Sequence, residues 1–482
     1  MELKFGTAGI RGIMGPEPGQ MNKETVRLAT MGVAGWLKGR AAAEGKAEQD
    51  LLVVISRDSR NNSLEFALET ARTLEACGIR ALMFEDIMPV PVLSFAVLHL
   101  KADAGVMITA SHNAKEYNGY KLYGPAGGQV LPEDADIVQE EIRKVSPEAT
   151  SSAPQAPWTP TYIPEDVYQA YLAAMRTASN PPQCGESGDV GGVTGSAIPP
   201  LSVIYTPLNG SGRRPVIETL TADGYDLFVV PEQKEPDGNF TTTGQPNPEF
   251  EAVYRLALEY AKEKQPDIIV ATDPDCDRVG AMAKVDSKEP SPTVQYRLLS
   301  GNDLGTLVLS YLCATRDMAG KTFISSFVST PLADRIAAAN GMVVEKTPVG
   351  FKFIAAGMDK AQEDFGYAFE ESNGMIVGLY ARDKDGVVGV RLLCQAADYY
   401  RRKGSSAAEE LDRLNAEFGP VFSKTIDVVV DPAAPKPETK VQEFDDGSKV
   451  VVRPSGTEPK VKYYFFAPSA ARIGELKAEF GV

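Results

Sequence analysis

The sequence predicts an α/β protein in which three similar α/β domains surround a central cleft and a C-terminal α+β domain follows. Short apolar runs alternate with stretches of helical spacing, a pattern typical of parallel sheets with crossover helices. At roughly 150 residues a domain, 482 residues make three or four domains. Four loops with different polar side chains lie in separate segments, which makes sense if the domains face one cleft. The predicted domains are 1–155, 156–286, 287–403 and 404–482.

Composition and charge exclude several classes of function. The formal net charge of −16 argues against a nucleic-acid or anionic-membrane partner, so cations near an anionic substrate must be local. The chain has no apolar run of membrane-spanning length, and its N-terminus lacks the layout of a signal peptide. Five cysteines without paired spacing indicate reduced thiols in a cytoplasmic protein.

The two histidines limit the metal chemistry that we expect. His99 lies among apolar residues of a predicted helix, which favours a structural role, and His112 lies in a polar loop. Two histidines exclude a multi-histidine zinc site, so any metal should be a hard ion held by oxygen.

The first domain begins with a glycine-rich stretch, residues 5–15, in which Arg11 could donate two hydrogen bonds to a phosphate or carboxylate. A glycine-rich turn with a surface arginine is the alternative. Apolar runs then predict strands at Leu51–Ser56, Arg80–Phe84 and Gly105–Ile108. Helical spacing predicts helices at Asn22–Lys38, Leu64–Cys77 and Pro89–Leu100.

A polar loop follows the strand Gly105–Ile108 and carries a hydroxyl (Ser111), an imidazole (His112) and an ammonium group (Lys121). A serine at a strand end has a fixed backbone and an accessible side chain, which suits a residue that carries a transferable group. In a parallel sheet, ligands bind beyond the carboxyl ends of the strands, where Ser111 is expected. The alternative is a polar turn with Asn-Gly at its tip.

The second domain ends its last strand at a cluster of aspartates. Asp273, Asp275 and Asp277 alternate, so an extended loop could aim three carboxylates at one point and hold Mg²⁺. Arg278 would serve a bound phosphate or balance the carboxylate charge, and a solvated acidic turn is the alternative. The predicted helices are Val167–Met175, Arg213–Thr221 and Pro248–Lys264, and the strands are Leu201–Tyr205, Leu227–Val230 and Asp267–Ala271.

The third domain carries Lys352 after one strand and Glu370 to Gly374 after another. Carboxylates and the Ser372 hydroxyl at alternate positions suit hydrogen bonds to vicinal sugar hydroxyls, although a charged loop after a strand is equally expected. The predicted helices are Gly301–Thr315, Pro331–Asn340 and Gly386–Arg401, and the strands are Lys321–Phe327, Met342–Lys346 and Tyr367–Phe369.

The C-terminal domain places a loop between two strands, Lys449–Val452 and Val461–Phe466, ahead of a final helix. The alternative to a binding loop here is a turn built from proline and glycine. The loop's Arg453, Ser455 and Thr457 side chains and the Gly456 backbone could form a compact anion-binding nest.

The motifs FGTAGIRG, TASHNAKEYNGYK, DPDCDR, FEESNG and RPSGTEPK occur in this order over nearly the whole chain. Together they resemble the α-D-phosphohexomutase superfamily, the phosphoglucomutases and phosphomannomutases. The resemblance implies that Ser111 is the phosphoserine, that Lys121 is the general acid/base with His112 beside it, and that Mg²⁺ is held by Ser111 and the three aspartates. It further implies sugar selection by Glu370 and Ser372, and phosphate binding by Arg453, Ser455, Gly456, Thr457, Arg11, Arg278 and Lys352.

The resemblance therefore implies an isomerase that interconverts hexose 1-phosphate and hexose 6-phosphate, with glucose 1,6-bisphosphate as intermediate and activator. Glucose is the expected hexose. The alternatives are a phosphomannomutase, a phosphopentomutase, or a non-catalytic relative that only binds sugar phosphates. Phe369 stands where many relatives have glycine before the glutamate, which leaves the sugar preference open. The sequence also leaves the oligomeric state open.

Overall fold

The computed structural model describes residues 5–6, 9–146, 158–180, 198–285, 294–431, 437–454 and 460–482. These residues form four sheets, each with its own helices, and we call each sheet with its helices a unit. In each of the first three units a sheet is combined with helices. The α/β prediction is therefore confirmed. Within the described residues, every helix is too short or too polar to cross a lipid bilayer.

The first unit is a six-stranded sheet in the order β1-β5-β4-β2-β3-β6. The strands are Gly9–Ile13 (β1), Leu52–Arg57 (β2), Arg80–Met83 (β3), Ala104–Ile108 (β4), Tyr117–Tyr123 (β5) and Thr161–Tyr162 (β6). The helices are Lys23–Glu44, Ser63–Ala76, Val90–His99 and Pro132–Lys144, with a 3₁₀ turn at Glu48–Asp50. All five residues of β4 are buried because helices cover both faces of the sheet.

The second unit is a five-stranded sheet in the order β11-β10-β9-β7-β8. The strands are Ser202–Thr206 (β7), Asp226–Val229 (β8), Ile268–Thr272 (β9), Val279–Val285 (β10) and Gln295–Leu299 (β11). The helices are Glu165–Ser179, Arg213–Ala222, Pro231–Lys234 and Arg255–Lys264, with a 3₁₀ turn at Glu251–Tyr254. The predicted helix Pro248–Lys264 is therefore too long at its N-terminus, where the chain forms the 3₁₀ turn instead.

The third unit is a four-stranded sheet in the order β13-β12-β14-β15. The strands are Thr322–Ser326 (β12), Val343–Thr347 (β13), Phe365–Glu370 (β14) and Gly374–Ile376 (β15). The helices are Gly301–Thr315, Pro331–Ala339, Phe351–Ala361, Gly386–Arg402 and Ala407–Phe418, with a 3₁₀ turn at Gln362–Asp364.

The fourth unit is a fully antiparallel sheet in the order β16-β19-β18-β17, with one helix packed on it. Its strands are Phe422–Val429 (β16), Lys440–Glu443 (β17), Lys449–Pro454 (β18) and Lys460–Ala467 (β19), and its helix is Ala470–Phe480. The helix Ala407–Phe418 packs on the third unit, where Glu410 accepts a hydrogen bond from Ser310. The domain limits stated above stay predictions.

The sheets of the first three units are mixed, whereas alternation of strands and helices predicts parallel sheets. β4 and β5 pair antiparallel, as do β9 and β10, and β14 and β15. Short loops join these pairs, and a parallel pair needs a crossover of a dozen residues or more. The polar motifs occupy these short loops, so the antiparallel hairpins carry the candidate site.

The glycine-rich stretch at residues 5–15 contains a strand, β1, where the sequence predicts backbone that approaches a ligand, with a glycine-rich turn as the alternative. β1 pairs antiparallel with β5, and Gly9 lies opposite Lys121. A Cβ atom at Gly9, which has a φ of 144°, would lie 2.0 Å from the Tyr120 carbonyl oxygen. Glycine is required at this position because two strands approach closely, not because a phosphate does.

One continuous hydrophobic core joins the first three units. It includes Met107 of β4, Val203 of β7, Val270 of β9, Phe369 of β14 and Leu393 of the helix Gly386–Arg402, all buried. A shared core of this kind fixes the units relative to one another, so loops from different units hold constant positions in the cleft.

Candidate active site

Ser111 lies three residues beyond the C-terminal end of β4 and is 2% exposed. Its backbone is in the left-handed region, with a φ of 54°, which non-glycine residues rarely adopt. Its amide donates to Thr109 Oγ1 at 2.8 Å. Its hydroxyl donates to Asp273 Oδ2 at 2.8 Å and lies 3.2 Å from His112 Nδ1. The predicted nucleophile and the first aspartate are therefore in direct contact across two units.

The aspartate segment is a tight turn, not the extended loop that the alternation of residues predicts. The Cys276 amide donates to the Asp273 carbonyl oxygen at 2.9 Å, and Cys276 has a φ of 50°. Asp273 Oδ1 accepts hydrogen bonds from the amides of Asp277 and Arg278 at 3.1 and 3.0 Å. The turn therefore fixes the Asp273 carboxylate through the backbone, at the C-terminal end of the fully buried β9.

The three aspartates fit a hard metal ion. One carboxylate oxygen from each of Asp273, Asp275 and Asp277 lies within 4.8 Å of the others, and all three side chains are buried. Oδ1 of Asp275 and Oδ1 of Asp277 are buried without a hydrogen-bond partner in the described structure. Unpartnered buried carboxylate oxygens are costly unless a cation binds them, and oxygen ligands suit Mg²⁺ or Ca²⁺.

The charges around the turn act differently on its members. Burial raises the pKa of Asp273 well above its usual value, and the neighbouring carboxylates of Asp275 and Asp277 add to this. Burial alone would also raise the pKa of Asp277, but the ammonium groups of Lys384 and Lys121 lower it below its usual value. The cluster is therefore short of positive charge on the Asp273 side.

Lys121 lies within β5, whereas the sequence analysis assigns it to the loop after Ser111. Its ammonium nitrogen lies 2.8 Å from Asp275 Oδ2 and 3.3 Å from Asp277 Oδ2. Burial lowers its pKa, but the two carboxylates outweigh burial and raise the pKa overall. The position within a strand gives Lys121 a fixed backbone, which suits a proton-transfer group.

Arg11 and Arg278 form a cationic region around the imidazole of His112, beside Ser111. Burial and the nearby Arg278 and Arg11 guanidinium groups hold the pKa of His112 well below its usual value, so its imidazole is neutral at neutral pH. Arg11 donates to Asn113 Oδ1 at 3.1 Å, and Arg278 pairs with Glu249 at 2.7 Å. The two guanidinium groups beside this neutral imidazole favour the binding of an anion.

Glu370 is the last residue of β14 and is 5% exposed, where the sequence analysis places it in a loop. It accepts a hydrogen bond from the Gly350 amide at 3.1 Å. Burial raises its pKa, and the Lys384 and Arg278 charges oppose the shift, which shows that Glu370 faces the same cations as the aspartates. Ser372 follows in the turn between β14 and β15.

The turn after β14 is fixed to the aspartate turn. Asn373 Nδ2 donates to the Val279 carbonyl oxygen at 2.9 Å, and the Val279 amide donates to the Asn373 carbonyl oxygen at 2.9 Å. Because Val279 follows Arg278 directly, the predicted sugar loop and the predicted metal turn are neighbours in space.

Two more of the predicted residues, Lys352 and Arg453, lie in the third and fourth units respectively. Lys352, in the first turn of the helix Phe351–Ala361, lines a cavity of about 370 Å³ between the first and third units, together with Gln129 and Arg382. Arg453 lies in β18, near Tyr464 and Glu371. Ser455, Gly456 and Thr457 lie outside the described residues.

Two cationic side chains near the aspartates and Ser111, Lys384 and Arg60, are not predicted by the sequence. Lys384 is 8% exposed, and its ammonium nitrogen lies 3.3 Å from Asp277 Oδ2. Arg60 is 3% exposed and donates to backbone carbonyls of the loop that carries Ser111. Neither residue lies in one of the five sequence motifs. The contacts of each residue are with a segment distant in sequence, so no local signal could have identified them.

Four family models match the chain in order. Their descriptions are phosphoglucomutase/phosphomannomutase alpha/beta/alpha domains I, II and III and the C-terminal domain of the same proteins. They cover residues 2–149, 191–286, 300–416 and 401–481 respectively. These matches confirm the resemblance that the five sequence motifs predict.

Individual relatives agree with the family models. The chain is similar to a phosphoglucomutase of Staphylococcus saprophyticus, at 31% identity over 99% of this chain and 92% of the relative. It is also similar to a probable phosphomannomutase of Haemophilus influenzae, at 31% identity over 93% of each chain. A solved phosphoglucomutase/phosphomannomutase family protein from Burkholderia thailandensis shares the fold, with a TM-score of 0.74, 18% identity, and coverage of 99% of this chain and 95% of that chain. The chain therefore belongs to the phosphoglucomutase/phosphomannomutase family, within the α-D-phosphohexomutase superfamily.

Proposed function

We propose that this hexose phosphate mutase, an isomerase, carries its phosphoryl group on Ser111 and acts on glucose phosphates. The observation that carries the proposal is the contact of 2.8 Å between Ser111 Oγ and Asp273 Oδ2. Next to this contact, Asp275 and Asp277 each present an unpartnered buried oxygen. A serine hydroxyl beside a prospective cation site is suited to carrying a phosphoryl group, since a metal ion can bind a phosphate oxygen and carboxylates together.

The proposed reaction has two half-steps. In the first, the free hydroxyl of a hexose 1-phosphate attacks the phosphorus of phospho-Ser111, the bond from phosphorus to Oγ breaks, and hexose 1,6-bisphosphate forms. In the second, Ser111 Oγ attacks the other phosphate of the turned bisphosphate, and hexose 6-phosphate leaves. Catalysis is mainly positioning and charge stabilisation, because every attacking and leaving group is a hydroxyl oxygen.

Proton transfer is assigned to Lys121, with His112 beside Ser111. Lys121 lies 2.8 Å from Asp275, so its ammonium group is held within the carboxylate cluster. A neutral imidazole 3.2 Å from Ser111 Oγ can accept or donate a hydrogen bond without adding charge. In the second half-step, where Ser111 is the attacking group, its hydroxyl therefore has an imidazole beside it that can orient it, and the protonated Lys121 can act as the acid.

Mg²⁺ is the proposed cofactor, held by Asp273, Asp275 and Asp277 together with a phosphate oxygen on Ser111. When bound, it would supply positive charge that stabilises the transferring phosphoryl group. A phosphoserine adds roughly −1.5 to −2 charges beside the three carboxylates. Lys121 and Lys384, both in contact with Asp277, balance part of this charge.

Substrate binding is assigned to the rest of the cleft. Glu370 and Ser372 are proposed to bind sugar hydroxyls, and Arg453, Ser455, Gly456 and Thr457 the phosphate distant from Ser111. Arg11, Arg278 and Lys352 would add positive charge. Support for these roles comes from the position of Glu370, which shares the Lys384 and Arg278 charges with the aspartates.

The sugar has two close competitors. One relative is named a phosphoglucomutase and another a probable phosphomannomutase at the same identity, so mannose phosphate is the second candidate, with pentose phosphate after it.

We also propose glucose 1,6-bisphosphate as activator and a cytoplasmic location. The four cysteines in the described residues (Cys77, Cys276, Cys313 and Cys394) form no disulfides, which agrees with a reducing compartment.

Intact-protein mass spectrometry after incubation with glucose 1,6-bisphosphate tests the central assignment. We expect a gain of one phosphoryl group that maps to Ser111. No gain would favour a relative that only binds sugar phosphates. A coupled assay with glucose 1-phosphate, mannose 1-phosphate and ribose 1-phosphate then decides the sugar, with the highest kcat/KM expected for glucose.

A further inference from the structure

We infer that Arg60 is a positioning residue for phosphoryl transfer, because its guanidinium group fixes the backbone of the loop that presents Ser111. The inference rests on the proposed role of Ser111 and adds to it a residue from a different loop. Arg60 touches neither the aspartate carboxylates of the metal turn nor the Ser111 hydroxyl in the described contacts, so it acts through the loop.

The guanidinium group of Arg60 binds four carbonyl oxygens of residues 111–117. Nη1 donates to the Ala114 carbonyl at 2.9 Å and to the Tyr117 carbonyl at 3.2 Å. Nη2 donates to the carbonyls of Ser111 and Asn113. A planar group with fixed donor directions thereby sets the positions of both ends of the loop at once.

The guanidinium group is itself held from two sides. Arg60 Nε lies 3.1 Å from Asp58 Oδ2, and neither side chain is exposed to solvent. The ring of Phe240, from the second unit, covers the guanidinium group at 5.0 Å from its centroid, and Phe240 is fully buried. This arrangement leaves Arg60 a single position.

Asp58 extends the same support toward the metal turn. Its carboxylate accepts hydrogen bonds from the hydroxyls of Thr109 and Ser63, both at 2.7 Å. Thr109 Oγ1 accepts from the Ser111 amide and lies 3.1 Å from Asp275 Oδ2. Arg60 and Asp58 therefore hold Ser111 at its carbonyl and, through Thr109, at its amide.

The backbone of Ser111 needs such support. A left-handed conformation at a non-glycine residue is strained and persists only where neighbours impose it. Release of the Ser111 carbonyl would let the residue relax toward ordinary backbone angles and turn its hydroxyl away from Asp273. A misplacement of about 1 Å in a reacting group can cost roughly 100-fold in rate.

The chain contains a matched ion pair that separates positioning from folding. Arg27 contacts Glu69 at 2.6 Å between the helices Lys23–Glu44 and Ser63–Ala76, and the two side chains are 11% and 9% exposed. Both pairs are buried arginine–carboxylate contacts in the first unit. The Arg27 pair joins two helices, whereas the Arg60 pair holds the loop of Ser111.

The experiment compares Arg60→Lys with Arg27→Lys in the full-length enzyme. Lysine keeps the charge but has three donors on one nitrogen, so it cannot hold four carbonyls in fixed directions. We expect Arg60→Lys to lower kcat about 100-fold with KM within threefold, and to slow phosphoryl transfer from phosphorylated Ser111 to hexose 1-phosphate by the same factor. Arg27→Lys should leave kcat within threefold even if both variants lose the same melting temperature.

A wild-type kcat in Arg60→Lys, or equal kcat losses in the two variants, would overturn the inference. Phe240→Leu gives a second measurement should Arg60→Lys fail to fold, since it removes only the aromatic cover. We expect about a fivefold loss of kcat, the loss of one cation–π contact of about 1 kcal/mol, and an unchanged kcat would contradict the inference. Ser111→Ala is measured in parallel. Full activity of the Ser111→Ala variant would contradict the proposed function itself. An inactive Ser111→Ala variant together with a fully active Arg60→Lys variant would contradict only the role of Arg60.

Discussion

The two ends of the candidate site are built differently. β4 and β9, which lead to Ser111 and to Asp273, are buried along their whole length. In the fourth unit, every residue of β17 and six of the eight residues of β16 are exposed. The end that carries Ser111 and Asp273 is fixed by a core, whereas Arg453 lies on the half-buried strand β18 of a sheet whose two edge strands are exposed.

The difference separates the two tasks of the site. The first three units share one continuous core, but the fourth contacts the third through a small cluster that includes Val328, Val451, Tyr464 and Phe466. Segments with few buried apolar contacts open at lower free energy than segments in a large core. Phosphoryl transfer needs fixed groups, and binding either phosphate of a turned intermediate needs a domain that can adjust, so each task has a matching environment.

The strongest way to break this comparison is to remove the hydroxyl at the fixed end. Ser111→Ala should lower kcat by at least about 1,000-fold, because no other hydroxyl is placed beside Asp273 by the described contacts. A coupled mutase assay measures the loss. Thr70→Val, which removes another buried hydroxyl of the first unit (bonded to the Phe66 carbonyl within the helix Ser63–Ala76), is the control and should stay active.

A second test addresses the metal turn. Asp277→Asn removes the charge of one of the three proposed ligands and should lower kcat about 100-fold at fixed Mg²⁺ while weakening Mg²⁺ binding 10- to 100-fold. Thermal unfolding gives a readout that is independent of activity. Saturating Mg²⁺ should raise the melting temperature of the wild-type protein, which corresponds to a gain of about 2 to 4 kcal/mol in the free energy of unfolding. The variant should show a much smaller shift. An identical shift in both proteins would mean that Asp277 holds no metal.

A third test moves to the adjustable end. Arg453→Gln should raise KM for the hexose phosphate about 10- to 100-fold, the range expected when a charge-assisted hydrogen bond to phosphate is lost. Because the role proposed for the fourth unit is to bind a phosphate group and not to take part in the reaction, kcat should change less than KM. Initial rates across substrate concentrations give both constants. A fall in kcat alone would show that the fourth unit must be as fixed as the first three.

A fourth test probes the contact between the two regions through Glu371. Ser326 donates to its carboxylate at 2.9 Å, and burial followed by the neighbouring Glu370 raises the pKa of Glu371 to about 7. A carboxyl group whose pKa rises on folding contributes stability at low pH. That contribution is lost as pH rises from the ordinary glutamate value toward about 7.

Glu371→Gln should therefore raise the free energy of unfolding relative to wild type at pH 8, by up to about 3 kcal/mol, with a much smaller difference at pH 4.5. Urea unfolding at the two pH values measures it. Glu263→Gln, at an exposed position of the helix Arg255–Lys264, is the matched control and should show no such dependence. Equal differences at both pH values would contradict the raised pKa.

Much of the fold could be predicted because local patterns decide it. The helix Gly301–Thr315 has its predicted bounds, since Ser300 and Asp303 form a capping box at its start. The strand β1 could not be predicted, because its glycines mask the strand pattern and only pairing with β5 makes it a strand. The antiparallel pairing in the sheets follows from the short loops between paired strands, and the order of helices and strands alone does not predict it.

The candidate site divides in the same way. Ser111 and the three aspartates (Asp273, Asp275 and Asp277) lie in short turns that directly follow a buried strand, so a local sequence signal identifies them. Arg60 lies in a polar stretch that reads as an ordinary surface loop, and its role depends on carbonyls more than fifty residues away. Lys384 likewise gains its role only where the third unit meets the second.

The backbone angle at Ser111 also restricts which amino acid could take the phosphoryl-carrying role proposed for this position. A φ of 54° is strongly disfavoured for side chains that branch at Cβ. Threonine offers the same nucleophilic oxygen, yet its extra methyl group would crowd this main-chain conformation. At this position main-chain geometry, and not the reactivity of the alcohol, would therefore favour serine over its closest chemical substitute.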